Sequence, residues 1–214
     1  SSAASDVYKR QALDDARDAV AALLGADPGN VVFTSGGTES DNLAVDGVLR
    51  ATGGLAVCPA AEHPAVLEPV RDSGGVVVPT DTAGRVDHDR LADTLDALAD
   101  IALVSVMTAN NETGVINDVS AVAEIVAVHA PRAVVHTDAV QATAWLDLVS
   151  ACRGAQLVSL TGHKFGGPKG AGALVLREGA TVAPMLRGGG QERERRSGGG
   201  GSRPSSRPWI RRTP

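Results

Sequence analysis

The chain has 214 residues and a net charge of −5, with 43% hydrophobic but only 2% aromatic residues. That length suits one large domain, and the composition gives it a core of small side chains, Ala and Val foremost. No run approaches the length of a bilayer-spanning helix, and no charged-apolar-small leader opens the chain, so neither anchoring nor export is expected.

Ser1 in place of Met predicts a processed start or a fragment. A helix is predicted over Gln11–Leu24, because apolar residues at 12, 13, 16, 19, 20, 23 and 24 share one face and Gly25 closes it. Val31–Phe33 reads as a short strand. It leads into Ser35-Gly36-Gly37-Thr38-Glu39-Ser40, which opens a helix over Glu39–Leu49. Glycines and a hydroxyl at a helix start leave backbone N–H groups for an anion, with the helix dipole in support. An ordinary helix capped by Thr38 satisfies the same residues. Leu55–Cys58 is the next strand, with Cys58 as a small core residue. His63 follows it, just ahead of Pro64, where it suits either a helix cap or a site at a strand end.

Gly75–Val78 is another strand, and Asp87–Asp100 an acidic amphipathic helix with a solvated outer face. Ile101–Met107 is a strand running into Ala109-Asn110-Asn111-Glu112-Thr113-Gly114, the composition of a turn. Asp118–Ala130 is a helix that Pro131 ends. The run from Ala133 to Gln141 reads as a buried strand ending in Asp138. Ala155–Leu160 is a second buried strand, with Cys152 in the segment between the two. It feeds Thr161-Gly162-His163-Lys164-Phe165-Gly166-Gly167-Pro168-Lys169-Gly170. Ala171–Leu176 is the last strand, and 184–190 a glycine-rich exit. Strands alternating with helices predict an α/β domain with a mostly parallel sheet flanked by helices. Each polar group singled out follows a strand, where the carboxyl edge of such a sheet collects a site.

Lys164 thus stands at a strand end among glycines. If desolvated, its ammonium loses its proton more readily and the free amine attacks a carbonyl; a solvated lysine on a surface loop fits the same residues. Asp138 lies 26 residues before it, room for one helix and one strand, so the two side chains can share a crevice. A lysine that forms a Schiff base, with a carboxylate to keep a pyridine nitrogen protonated, is the minimum for pyridoxal phosphate chemistry.

His136-Thr137-Asp138-Ala139-Val140-Gln141, followed by Thr161-Gly162-His163-Lys164-Phe165-Gly166-Gly167-Pro168-Lys169-Gly170, resembles the cysteine desulfurases of the NifS/IscS type, within the class V aminotransferase superfamily. The resemblance covers roughly residues 11–198. It implies the large domain of a fold-type I pyridoxal 5'-phosphate enzyme. The implied reaction takes sulfur from L-cysteine, giving alanine and an enzyme persulfide for iron–sulfur cluster assembly or another sulfur-transfer route. On that resemblance Lys164 carries the cofactor, Asp138 protonates its ring nitrogen, and His63 stacks on the ring and shuttles protons. Asn111 and Gln141 approach the ring hydroxyl. Thr38, Thr161 and His163 hold the phosphate, with Gly37 and Gly162 beside them. The resemblance also implies a homodimer in the cytoplasm, served by a sulfur-acceptor or scaffold protein, with no metal. Gly166-Gly167-Pro168-Lys169-Gly170 and Gly188-Gly189-Gly190-Gln191-Glu192-Arg193 favour this branch over a class V aminotransferase or a selenocysteine lyase.

Cys58 and Cys152, the two cysteines of the chain, cannot form a disulfide framework and fit a reducing cytoplasm. Both precede Lys164, whereas the resemblance places the sulfur-accepting cysteine and a substrate-binding arginine well beyond the lysine, toward and within a smaller C-terminal domain. These residues are therefore expected to lack the catalytic cysteine loop, and an inactive fragment is a further reading. The charge is uneven. Residues 187–214 hold eight Arg against Glu192 and Glu194, net +6, which leaves −11 on residues 1–186. That break predicts a cofactor domain over 1–186 and an Arg/Gly/Ser-rich, disordered tail over 187–214. Glu194-Arg195 replaces the Gly-Leu usual in the family, and Gly199 the Thr that reaches a partner's phosphate. The tail suits either phosphate contacts on a nucleic acid or an out-of-frame reading after Gly198; lacking base-stacking aromatics in number, it is not expected to bind nucleic acid.

Overall fold

A computed structural model describes residues 3–189 and 191–197. Its chain order is α1 (Ala3–Leu24), β1 (Val31–Thr34), α2 (Gly37–Thr52), β2 (Leu55–Pro59), α3 (Pro64–Asp72) and β3 (Val76–Val78). It continues through α4 (His88–Ala97), β4 (Ile101–Ser105), α5 (Val119–His129), β5 (Val134–Asp138), the one-turn α6 (Leu148–Ala151), β6 (Leu157–Thr161) and β7 (Gly172–Leu176). The seven strands form one sheet in the order β1-β7-β6-β5-β4-β2-β3. Neighbours from β3 through β6 are parallel, whereas β7 is antiparallel to both β6 and β1. The predicted α/β class with a mostly parallel sheet is what is found. The reversed strand follows from a short return: residues 162–171 turn directly back from β6, with no crossover helix.

Both faces of the sheet are covered, and side chains along each strand alternate between them. Val104, Val135, Val158 and Val175 pack with Val20 and Leu24 of α1, Leu91 and Leu95 of α4 and Val122 of α5. Their neighbours Leu103, Leu157 and Leu174 point the other way, against Leu43 and Val48 of α2 and Val66 and Val70 of α3. Continuous Val/Leu runs in the sequence are thus two one-sided patterns interleaved.

Several boundaries differ from expectation for physical reasons. Helix α1 starts at Ala3 rather than Gln11, and its early turns expose Val7 and Tyr8, so no one-sided pattern marks them. Helix α4 stops at Ala97, with Asp87 as its N-cap, whereas Asp100 takes φ 55° and turns the chain into β4. Asp118 likewise caps α5, accepting from Ala121 N. Thr38 is not a cap. Helix α2 begins at Gly37 after an extended Gly36, and no side chain caps it.

Beyond β7, residues 191–197 run back along the domain. Glu192 accepts from Arg17 Nη2 at 3.1 Å and from Phe33 N at 3.0 Å, and Arg193 Nη1 donates to Gly29 O at 2.8 Å. The expectations for Gly190, Gly199 and the run 200–214 lie outside the described residues.

Candidate active site

The carboxyl ends of β1, β2, β4, β5 and β6 share one edge of the sheet, and each delivers residues that the sequence singles out. Strand β1 ends in Thr34 and turns at Ser35 and Gly36 into α2. Strand β6 ends in Thr161 and turns through a single 3-10 turn, Gly162–Phe165, closed by the left-handed Gly166. Between these ends sits Gly172, the first residue of β7, paired to Thr34 on one side and Thr161 on the other. A Cβ on Gly172 would lie 2.6 Å from the backbone of Gly36. Only a residue without a side chain lets the two loops close up so far.

What closes up is a small cradle. A Cβ at Gly36 would stand 4.0 Å from Thr161 Oγ1, and one at Gly37 would meet Val140 Cγ2 at 2.8 Å and Thr161 Cβ at 3.8 Å. Gly37 and Thr161 are therefore neighbours, and the exposed Thr38 lies in the first turn of the uncapped α2. Thr161 Oγ1 is 3.1 Å from His163 Nδ1, which ties the histidine to the cradle. Gly162 is buried, and its N–H donates to Ala171 O.

Asp138 ends β5, pairs with Ser159 in register, and accepts from Val140 N at 2.8 Å through Oδ1. Burial pushes its carboxyl above the usual range; the Val140 bond and the nearby charges of His63 and Lys164 pull the other way. Asp138, His63 and Lys164 all stand at the same sheet edge, as the 26-residue spacing of Asp138 and Lys164 allows. Lys164 itself is exposed, so of the two readings its residues allowed, the chain alone shows the solvated lysine. The short turn that presents it leaves the side chain over the open edge. His63 is exposed too and does cap α3: its Nδ1 accepts from Ala65 N at 3.1 Å. That bond fixes the ring and leaves Nε2 as the nitrogen able to hold or pass a proton.

Gln141 is half-buried at the start of a 3-10 turn directly after Asp138. Asn111 is exposed in the turn after β4. Its neighbour Asn110 makes that loop's contacts, donating to Ala61 O at 2.9 Å and accepting from Glu112 N and Thr113 N.

Beneath the edge lies a buried polar layer that the sequence analysis missed. His136, fully buried, meets Ser105 Oγ at 2.8 Å through Nδ1 and Ser159 Oγ at 2.9 Å through Nε2. Asp41 of α2 reaches within 3.6 Å of the same Nε2. Burial lowers His136 to a pKa of about 3. Burial, then the charge of Asp138, raises Asp41 well above its usual range. His136 is therefore neutral and the contact is not an ion pair, and Asp41 Oδ1 has no hydrogen-bond partner among the described residues. A polar residue inside an apolar strand run, as in Val135-His136-Thr137 or Val158-Ser159-Leu160, was the available signal.

Glu62 is buried as well. Its Oε1 accepts from Met107 N, while Oε2 is unpartnered. Burial raises its pKa from 4.5 to about 8. In the unfolded chain it gives up its proton near 4.5, whereas the folded chain keeps it to about 8. Its contribution to stability is therefore complete below 4.5 and is lost as pH rises toward 8. Glu62→Gln keeps the acceptor for Met107 and is expected to flatten that decline. Urea unfolding at pH 5 and pH 8 measures it, and parent-like loss of stability in the variant would contradict the assignment.

Comparison with known proteins bears directly on this edge. The aminotransferase class-V family model matches residues 2–212. The chain belongs to that family. It is 44% identical over 195 residues to an IscS-like cysteine desulfurase of Mycobacterium tuberculosis, covering 85% of this chain and 49% of that protein. It is 39% identical over 190 residues to a cysteine desulfurase IscS of Dictyoglomus turgidum, covering 85% and 47%. Among solved structures it superposes on a NifS-like protein with TM-score 0.81 at 35% identity, covering 90% of this chain and 55% of the other. It also matches SspA in complex with cysteine, with TM-score 0.81 at 30% identity, covering 92% and 59%. The chain spans about half the length of the curated relatives it matches.

Class-V enzymes of this kind use pyridoxal phosphate, and the residues present fit it. The cradle at Gly36, Gly37 and Thr161 offers the start of a helix that no side chain caps and a hydroxyl beside it, the donor chemistry a phosphate needs. Asp138 is a buried acid with only Oδ1 engaged among the described residues, next to one amine and one imidazole.

Proposed function

We propose that this chain is the cofactor-binding part of a pyridoxal-phosphate-dependent cysteine desulfurase. The observation that carries the reading is the placement of buried Asp138 with Lys164 and His63 at the carboxyl ends of β5, β6 and β2, on the sheet edge that holds the glycine cradle. Similarity to proteins named cysteine desulfurases supports L-cysteine as substrate. When bound, the cofactor supplies a conjugated ring that accepts the electron pair left as the substrate's Cα–H bond breaks. Gly37, Thr38, Thr161, Gly162 and His163 would hold its phosphate, and Asn111 and Gln141 would serve its ring hydroxyl. Lys164 Nζ would carry it, and its free amine would take the α-proton. Asp138 keeps the ring nitrogen protonated through a charge-assisted hydrogen bond, about twice as strong as a neutral one. His63, fixed through Nδ1, covers the ring and passes a proton through Nε2.

The last step needs a thiolate to attack the substrate sulfur, because the thiol itself is a poor nucleophile. Cys58 and Cys152 are both buried, and burial raises the pKa of each. Neither is that nucleophile. A homodimer, a sulfur-accepting partner and a cytoplasmic setting belong to the same reading, the last supported by two unpaired thiols.

The test is to incubate the 214-residue chain with pyridoxal phosphate and α-deuterated L-cysteine under reducing conditions. Deuterium loss is expected, without repeated release of sulfide and alanine. Faster exchange from alanine than from cysteine would favour a class-V aminotransferase. Multiple turnovers abolished by alkylating Cys152 would overturn the assignment of that cysteine.

A further inference from the structure

The cradle contains a carboxylate where an anion site should least tolerate one. Glu39 lies in the first turn of α2, two residues past Gly37, and its Oε2 accepts from Ser35 N at 2.7 Å and Ser35 Oγ at 2.5 Å. Those bonds shape the turn that leads into the cradle. They also spend the Ser35 hydroxyl on Glu39, so its proton is not offered to a phosphate. A negative charge at this end of a helix is favourable by itself but repels a second anion bound there.

That charge is not left alone. Arg196, from the segment that runs back beyond β7, donates from Nε to Glu39 Oε1 at 2.8 Å and from Nη2 to Oε2 at 3.3 Å. Both side chains are largely covered, with relative exposures of 13% for Arg196 and 21% for Glu39, so solvent screens the pair only partly. Partial burial opposes ionisation of Glu39, but the bonds to Arg196 and Ser35 outweigh it and hold the carboxyl below its usual range.

The returning segment is itself held firmly. Glu192 is bound by Arg17 and Phe33 N, Arg193 by Gly29 O, and Ser197 N donates to Leu186 O at 2.9 Å. Glu192, Arg193 and Glu194 all take positive φ, a region that residues with side chains avoid. A backbone kept in that shape by contacts at three points delivers Arg196 to one place.

We infer that Arg196 is a positioning residue for phosphate binding: it neutralises Glu39, so that the carboxylate ordering Ser35 does not repel the phosphate held at Gly36–Thr38. The inference rests on the phosphate cradle of the proposed function. It adds that affinity for the phosphate, and not for the rest of the cofactor, is set by a residue outside the cradle.

The experiment measures dissociation constants of the full chain for pyridoxal phosphate, for pyridoxal without phosphate, and for inorganic phosphate. Arg196→Ala is expected to weaken both phosphate-bearing probes roughly tenfold, the size of an interaction near a helix terminus in a partly buried setting. Pyridoxal should be unaffected. Glu39→Gln added to Arg196→Ala should restore most of the loss, and Arg196→Lys should retain parent-like binding. Circular dichroism confirms that each variant is folded. A purely structural role would weaken pyridoxal equally and would not be rescued by Glu39→Gln; either result overturns the inference, as does unchanged phosphate binding in Arg196→Ala. A parent that binds inorganic phosphate but no pyridoxal phosphate sinks the cofactor reading and leaves this one decided by the phosphate arm. A parent that binds neither overturns both.

Discussion

Lys164→Ala is expected to abolish covalent capture of the cofactor. In the parent chain, borohydride should fix pyridoxal phosphate to one peptide, and peptide mapping should place it on Lys164. The variant should yield no reduced adduct while keeping its circular dichroism, because the side chain is exposed on a short turn and supports no part of the core. Capture on Lys169 or Lys9 instead would defeat the assignment. The substitution should also act on its neighbour. The Lys164 ammonium helps to draw the buried Asp138 carboxyl down, so its loss should raise that group further. Cofactor held without the covalent bond should then lose reactivity.

The second large effect is at Asp138. Asp138→Asn keeps the size of the side chain and an oxygen that can accept from Val140 N, so the end of β5 should stay in place. What it loses is the charge that keeps the ring nitrogen protonated. Cofactor affinity should fall little, while α-deuterium loss from labelled cysteine should slow by at least about a hundredfold, the scale for removing one preorganised electrostatic group. Equal exchange rates in variant and parent would remove Asp138 from the mechanism.

How far these assignments could be read without the structure depends on which residues carry them. Asp138, His163 and Lys164 stand at the ends of apolar strand runs, and the local pattern suffices to place them at a sheet edge. Gly36 and Gly37 were legible as a helix start but not as an uncapped one, since Thr38 looks like a cap until the backbone shows α2 beginning ahead of it. The Asp41–His136–Ser159–Ser105 layer was out of reach because its members sit on α2, β5, β6 and β4. The three strand members look locally like stray polar residues in apolar runs, and Asp41 is one of five successive polar residues, Thr38 to Asn42. The change of composition near residue 187 was visible, but composition carries no trace of the ion pairs that Glu192 and Arg196 make with Arg17 and Glu39. The exposure of Lys164 was hidden for a similar reason: glycines around a lysine fix the path of a loop without saying whether anything covers it.

The reversed strand β7 has a consequence for the order in which the molecule can be made. Among the described residues β1 has β7 as its one partner in the sheet, with Val31 set against Val175 and Thr34 against Gly172. Strand β1 precedes the other six in sequence and is thus among the last to be paired, since contacts that close long loops form late. Strands β2 through β6 can assemble while β1 waits. Until Gly172 is in place, nothing brings the turn after β1 alongside the end of β6. On the proposed function, capture of the phosphate would therefore report that the sheet has closed, and the ligand's binding energy would fall on that late step.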